Sequence, residues 1–176
     1  MLDYWSNKID KTIAIDIPSI YVGTYEKYNN GSLAGNWLKL TDYDDLDDFY
    51  KACHELHKDE SDPELMFQDY EYIPKSMIGE SWIDPQFYDF IDTVDFSCID
   101  LDVYIEAVNN GLDWNDLESK YYGEFDSDSD FTFEYAINTG FEQPNNFPYN
   151  YIDWDMAAYD LMQSFTEING HYFSDN

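Results

Sequence analysis

Between Asp84 and Asp130 two kinds of position alternate. Phe, Tyr, Trp, Ile, Leu and Val recur every three or four residues, and acids fill the gaps. That period predicts short helices, each with one buried stripe and one charged face. Pro85 suits a first helical turn, with Phe87, Phe90, Ile91 and Val94 inward and Asp89, Asp92 and Asp95 outward. Ser97-Cys98-Ile99-Asp100 resembles a capping box and opens a helix burying Leu101, Tyr104, Ile105 and Val108, ending before Gly111. Asp113 is expected to cap a third helix carrying Trp114, Leu117 and Tyr121.

Upstream, the pattern is mixed. Ile20 to Thr24 reads as a strand, followed by a loop ending at the Asn30-Gly31 turn. Leu33 to Leu40 reads as a second strand, with Leu38 and Leu40 on one face and Trp37 and Lys39 on the other. Thr41 or Asp42 is expected to cap a helix over about 44–58, striped by Leu46, Phe49, Tyr50, Cys53, Leu56 and His57. Leu65 to Ile73 reads as a third strand, stopped by Pro74. Downstream, Lys120 to Phe125 reads as a strand, and Asp126 or Asp128 as the cap of a helix holding Phe131, Tyr135 and Ile137. The loop QPNNFPYN precedes a last helix, about Trp154 to Thr166, and Asn169-Gly170 turns into a closing strand.

These elements predict an α+β protein: an elongated chain of three small subdomains, each too short for an independent core. After an N-terminal extension (1–18) come a β-rich α+β unit (19–80), a short-helix middle unit (81–119) and an α+β C-terminal unit (120–176).

Charge changes the question. The chain has 38 acids, eight lysines, no arginine and a formal charge of -30. Residues 1–41 sum to zero, so the remainder carries all of it. A disordered acidic tail would lack the interleaved apolar residues, so the charge is built on a folded surface. Its sign excludes nucleic acid and anionic membrane as direct partners and implies a strongly basic one. B-DNA carries one charge per about 1.7 Å of axis, so thirty charges match about 51 Å of duplex. A compact globule of this length has a radius of gyration of only about 16 Å, so duplex spacing favours an elongated arrangement. The candidate DNA-mimicking surface comprises Asp42, Asp44, Asp45, Asp47, Asp48, Asp84, Asp89, Asp92, Asp95, Asp100, Asp102, Glu106, Asp113, Asp116, Glu118, Asp126, Asp128 and Asp130. Asp outnumbers Glu 26 to 12, and the shorter side chain fixes charge closer to the backbone. Crowding of like charges predicts raised carboxylate pKa values and stability that increases on mild acidification.

Discrete sites are poorly represented. Asp126-Ser127-Asp128-Ser129-Asp130 has the start of an EF-hand loop, but Phe131 and Ile137 stand where Gly and Glu are needed. Cys53, His54 and His57 offer half a zinc site with no second pair at finger spacing; a core cysteine and surface histidines is the simpler reading. Carboxylate pairs of glycosidase type arise by chance among so many acids, and no nucleophile elbow, P-loop or dinucleotide fingerprint appears. The expectation is no catalysis and no cofactor. Two cysteines without framework spacing, no signal peptide and no transmembrane run predict a cytoplasmic protein.

Three segments, Ile20–Leu40 (IYVGTYEKYNNGSLAGNWLKL), Lys120–Gly140 (KYYGEFDSDSDFTFEYAINTG) and Pro148–Met162 (PYNYIDWDMAAYDLM) with NGHYF following, resemble the antirestriction proteins of the ArdA type. DYEYIP (Asp69–Pro74) adds a shorter match. The resemblance implies an elongated three-domain α+β homodimer that mimics bent B-DNA and occupies the DNA-binding groove of type I restriction-modification enzymes in a bacterial host, usually carried by conjugative elements or phages. The chain departs from that pattern at Tyr159, where the family commonly has an arginine. Two alternatives stay open: a mimic aimed at another basic DNA-binding protein, and a calcium- or metal-binding acidic module.

Overall fold

β1 (Ser19–Thr24) is the central strand of a three-stranded antiparallel sheet in the order β2-β1-β3, with β2 at Asn36–Lys39 and β3 at Leu65–Glu71. Being central accounts for its burial at every position but half-buried Tyr21, and Ile20 and Val22 are completely enclosed. Ser19 pairs with Lys39 and with Glu71, and a bulge after Tyr21 shifts the β3 register so that Val22 faces Phe67. The structure, a computed structural model, describes residues 17–94, 99–140 and 151–176. The described residues fall into two compact units dividing between Asn110 and Gly111.

In the first unit, α1 (Tyr25–Asn29) occupies what reads as loop in the sequence; Thr24 caps it by accepting from the Lys27 amide at 3.3 Å. β2 is shorter than expected: it starts at Asn36 rather than Leu33, and Leu40 begins a 3-10 turn, Leu40–Asp42. α2 (Leu46–Leu56) buries Phe49 and Cys53, and its cap is Asp45, not Thr41 or Asp42: Asp45 accepts from the Asp48 amide at 2.9 Å. Phe49 meets Phe67 of β3 edge-on with ring centroids 6.1 Å apart, which joins helix to sheet. α3 (Phe87–Thr93) and α4 (Leu101–Asn109) complete the unit. Phe87, Phe90, Ile91 and Val94 are buried as their spacing predicts, and Phe90 packs edge-on against Tyr104 of α4 at 5.8 Å. The expected cap at Ser97 lies outside the described residues.

The second unit starts with α5 (Leu117–Lys120), a single turn flanked by Asp116 rather than the longer helix expected from Asp113. Tyr121 belongs instead to β4 (Tyr121–Glu124), which pairs with β6 (His171–Ser174) in a sheet of order β4-β6-β5, with β5 at Phe165–Ile168. Asn169 and Gly170 both have positive φ, 52° and 85°, the two-residue turn that suits the twist of a hairpin. α6 (Asp128–Asn138) is capped by Ser127 rather than Asp126 or Asp128, and Ile137 is exposed rather than packed. α7 (Trp154–Leu161) ends before the expected Thr166, because Met162–Ser164 tightens to 3-10 and Phe165 enters the sheet. The core is aromatic: Phe131 stacks on Tyr172 with centroids 4.4 Å apart and meets Phe165 edge-on at 5.0 Å.

Phe49 is completely buried at the helix–sheet junction, so Phe49→Ala should destabilise the full chain by about 3–5 kcal/mol, read as a lowered midpoint in denaturant unfolding.

Candidate functional site

The candidate carboxylates follow the starts and outer faces of the helices. Asp42 ends the 3-10 turn, Asp45 caps α2, and Asp47 and Asp48 lie in its first turn, where the helix dipole favours anions. Asp84 precedes α3 and accepts from the Gln86 amide at 2.8 Å, while Asp89 and Asp92 lie one turn apart on α3. Asp102 and Glu106 share a face of α4 behind Asp100, its N-cap residue. Asp113 accepts from Asn115, from the amide at 3.0 Å and the side chain at 2.9 Å, and Asp116 and Glu118 flank the start of α5. Asp126, Asp128 and Asp130 surround the start of α6. Asp48 and Asp84 are half-buried and the other described members of the set are exposed; Asp95 lies outside the described residues. Nothing brings these groups into one pocket. They occupy helix starts in both units.

Counter-charge is scarce. Lys51 pairs with Asp48 at 2.7 Å and Lys120 with Asp116 at 3.3 Å, but beyond residue 41 the chain has only four lysines. The negative field is felt locally at Tyr88, whose hydroxyl pKa is raised by burial and then by Asp45, Tyr43, Asp44 and Asp48. The expected upward drift of crowded carboxylates is not what Asp59 and Asp113 show. Hydrogen bonding to Lys27 holds Asp59 below the usual carboxylate range, and the Asn115 amide and side chain do the same for Asp113. Local donors outweigh desolvation at these two groups.

The residues weighed for metal have other employment. Ser127 caps α6, Asp128 accepts from the Tyr172 hydroxyl at 2.7 Å, and Asp130 accepts from Ser127 Oγ at 2.6 Å. Cys53 is completely buried, which pushes its thiol pKa up to about 12, the inert form. His57 is buried, as its place in the apolar stripe predicts and against the surface-histidine reading, while His54 is exposed. Lys27 Nζ, which has no acceptor capacity, lies 2.9 Å from His57 Nδ1, so that nitrogen accepts and Nε2–H donates to the Val22 carbonyl at 3.2 Å. Among the described residues no group of three or more His, Cys, Asp or Glu is placed to hold a metal ion, and no helix is long and apolar enough to cross a membrane.

Sequence reasoning stopped the acidic surface at Asp130 and so left out Glu134, Asp155 and Asp160, all exposed on α6 and α7. Their helical spacing was the available signal. It also left out an apolar feature: Tyr151, Met156 and Tyr159 are 78%, 67% and 73% exposed on and just before α7.

A family model described as Antirestriction protein (ArdA) matches residues 20–174. No curated protein and no solved structure matches the chain.

The Asp59 shift fixes the sign of one pH effect. Its folded pKa lies below the unfolded value of 3.8, so its contribution is present above that value and is lost as pH falls through the folded one. Asp59→Asn should therefore melt slightly below wild type near neutral pH, and thermal unfolding followed by circular dichroism should show the gap closing on acidification below about pH 4.

Proposed function

Since the chain belongs to the ArdA family of antirestriction proteins, we propose that it inhibits type I restriction-modification enzymes by presenting helix-borne carboxylates in place of DNA phosphates. It does no chemistry of its own. The observation that carries this reading is the placement of acids at helix starts and outer faces in both units, fixed over an aromatic core and met by few lysines. One helix face with an acid per turn offers a charge about every 5.4 Å, so several faces together approach duplex density. Phosphate contacts position a protein on DNA, and a methylase–specificity core with a basic groove would accept this surface in the same way. The encounter takes place inside the bacterial host, where the restriction enzyme acts.

Activity spread over so many charges fails gradually. Each screened ion pair contributes about 0–1 kcal/mol, so neutralising Asp113 and Asp116 to Asn should weaken inhibition only modestly. Extending the change to Asp84, Asp89, Asp92, Asp100 and Asp102 should produce a graded loss and a flatter salt dependence, because fewer ions are exchanged. Titration against a type I enzyme at several salt concentrations reads both. A single Asp→Asn change that abolishes inhibition with the fold intact would refute distributed mimicry, and failure to displace DNA from the enzyme would redirect the search to another basic DNA-binding protein.

A homodimer is part of the same reading. Met156 and Tyr159, exposed on α7 beside Tyr151, offer an apolar surface for pairing. Met156→Glu with Tyr159→Glu should shift the monomer–dimer equilibrium toward monomer by about tenfold or more, measured by sedimentation equilibrium.

A further inference from the structure

Between Gly79 and Asp84 the backbone is tied down on every side. Gly79 N–H donates to the Trp82 carbonyl at 2.9 Å, and Ile78 bridges Ile83 in antiparallel fashion. From outside the turn, Phe67 N–H of β3 donates to the Glu80 carbonyl at 2.6 Å, and the Tyr50 hydroxyl oxygen on α2 accepts from Ile83 N–H at 3.1 Å. Asp84 N–H donates to the Met77 carbonyl at 2.8 Å. Yet the turn carries Trp82 with 49% of its surface exposed. The indole lies across Gly79: a Cβ at that position would meet ring atoms Nε1, Cε2 and Cδ1. Only glycine permits this approach, so the ring is backed by main chain while much of it stays open.

The neighbouring carboxylates are fixed too. Glu80 accepts from the Tyr25 hydroxyl at 2.8 Å, and Asp84 from the Gln86 amide at 2.8 Å. An indole face attracts a cation through its quadrupole. Carboxylates on either side in the sequence add charge pairing. A guanidinium uses both, because it is planar enough to stack and forks onto carboxylate oxygens; an ammonium uses chiefly the charge.

We propose that the Gly79–Asp84 turn is an anchor for an arginine side chain of the basic partner, with Trp82 as its stacking face and Glu80 and Asp84 as its charge partners. This rests on the basic-partner reading above and adds one discrete contact to a diffuse field. A pre-ordered aromatic has the character of an interface hot spot, since little freedom is lost when it is covered.

Two measurements on the full chain test it. In competition with DNA for a type I methylase core, Trp82→Ala should lose about tenfold or more in affinity, with the salt slope unchanged because no charge is removed. Trp82→Phe, which keeps a ring, should recover most of the loss. Equal affinities for Trp82→Ala and wild type would overturn the anchor and leave charge mimicry standing. The second measurement needs no enzyme: arginine-rich and lysine-rich peptides of equal length and charge are titrated while the indole N–H resonances are followed by NMR. The Trp82 resonance, assigned by its absence in Trp82→Phe, should shift more with the arginine peptide, and the preference for arginine should fall in Trp82→Ala. An unmoved resonance, or a preference that survives the truncation, would overturn the proposal. If that preference appears but wild type does not displace DNA from the enzyme, the type I target falls and the anchor stands.

Discussion

Self-repulsion is the constraint on which everything else in this molecule depends. A charge of -30 on 176 residues opposes the compact state, and burial of an apolar core that includes many aromatic rings is set against it. Phe49, Phe67, Phe87, Phe90, Tyr104, Phe131, Phe165, Tyr172 and Phe173 are buried, and edge-to-face or stacked pairs add about 0.5–1.5 kcal/mol each beyond area. Phe49 against Phe67 ties α2 to the first sheet, Phe90 against Tyr104 ties α3 to α4, and Phe131 ties α6 to the second sheet through Tyr172 and Phe165. The helices that carry the acids outward are thus the ones that the rings hold from inside. Loosening the packing would also scatter the charges.

Charge balance is local where the fold needs it. Lys27, with a side chain only 19% exposed, pairs with Asp59 at 3.0 Å and Glu60 at 3.3 Å and donates to buried His57. Thr24 caps α1 and donates to Glu60 at 2.7 Å, so one network joins β1, α1 and the turn after α2. Its lysine, Lys27, comes from the charge-balanced residues 1–41, and its acids, Asp59 and Glu60, from the acidic remainder. The acid-rich helices get little such compensation, and the consequence is a sheet end built by ion pairs beside helices built by rings.

Legibility in the sequence followed the same division. β1, β3, β4, the Asn169-Gly170 turn and the closing strand β6 could be read because alternation and turn residues are specific signals. Helix starts were misread because Asp is a good cap and there are too many: Asp45 and Ser127 cap α2 and α6, and each has an acid nearby that could have done so. The run through Phe165 looked helical by spacing until pairing with β6 claimed it. His57 fell in the apolar stripe by spacing but looked like surface by type, and the hydrogen-bond partners that satisfy it when buried, Lys27 and Val22, lie far from it in sequence. Outward placement of the acids was readable because Asp and Glu are rarely buried unpaired. The exposure of Met156, Tyr159 and Trp82 was not, because apolar residues at helix or strand spacing read as core.

The preponderance of Asp over Glu has a structural cause. Asp45, Asp84, Asp113 and Asp153 each accept from a backbone amide two or three residues on, at 2.9, 2.8, 3.0 and 3.0 Å. This is the local bond that a one-methylene side chain reaches and that favours helix starts and turns. The same bond limits where the carboxylate goes. One oxygen is held against the main chain while the side chains of Asp45, Asp113 and Asp153 stay exposed and that of Asp84 is half-buried, so the position of the charge becomes a property of the backbone rather than of a free rotamer. A longer glutamate keeps the charge with one more rotatable bond to fix, as Glu167 does where it accepts from the Gly170 amide at 2.5 Å. Solubility would be served equally by either residue, whereas a partner that reads charges at set intervals distinguishes a carboxylate fixed by its own turn from one that swings.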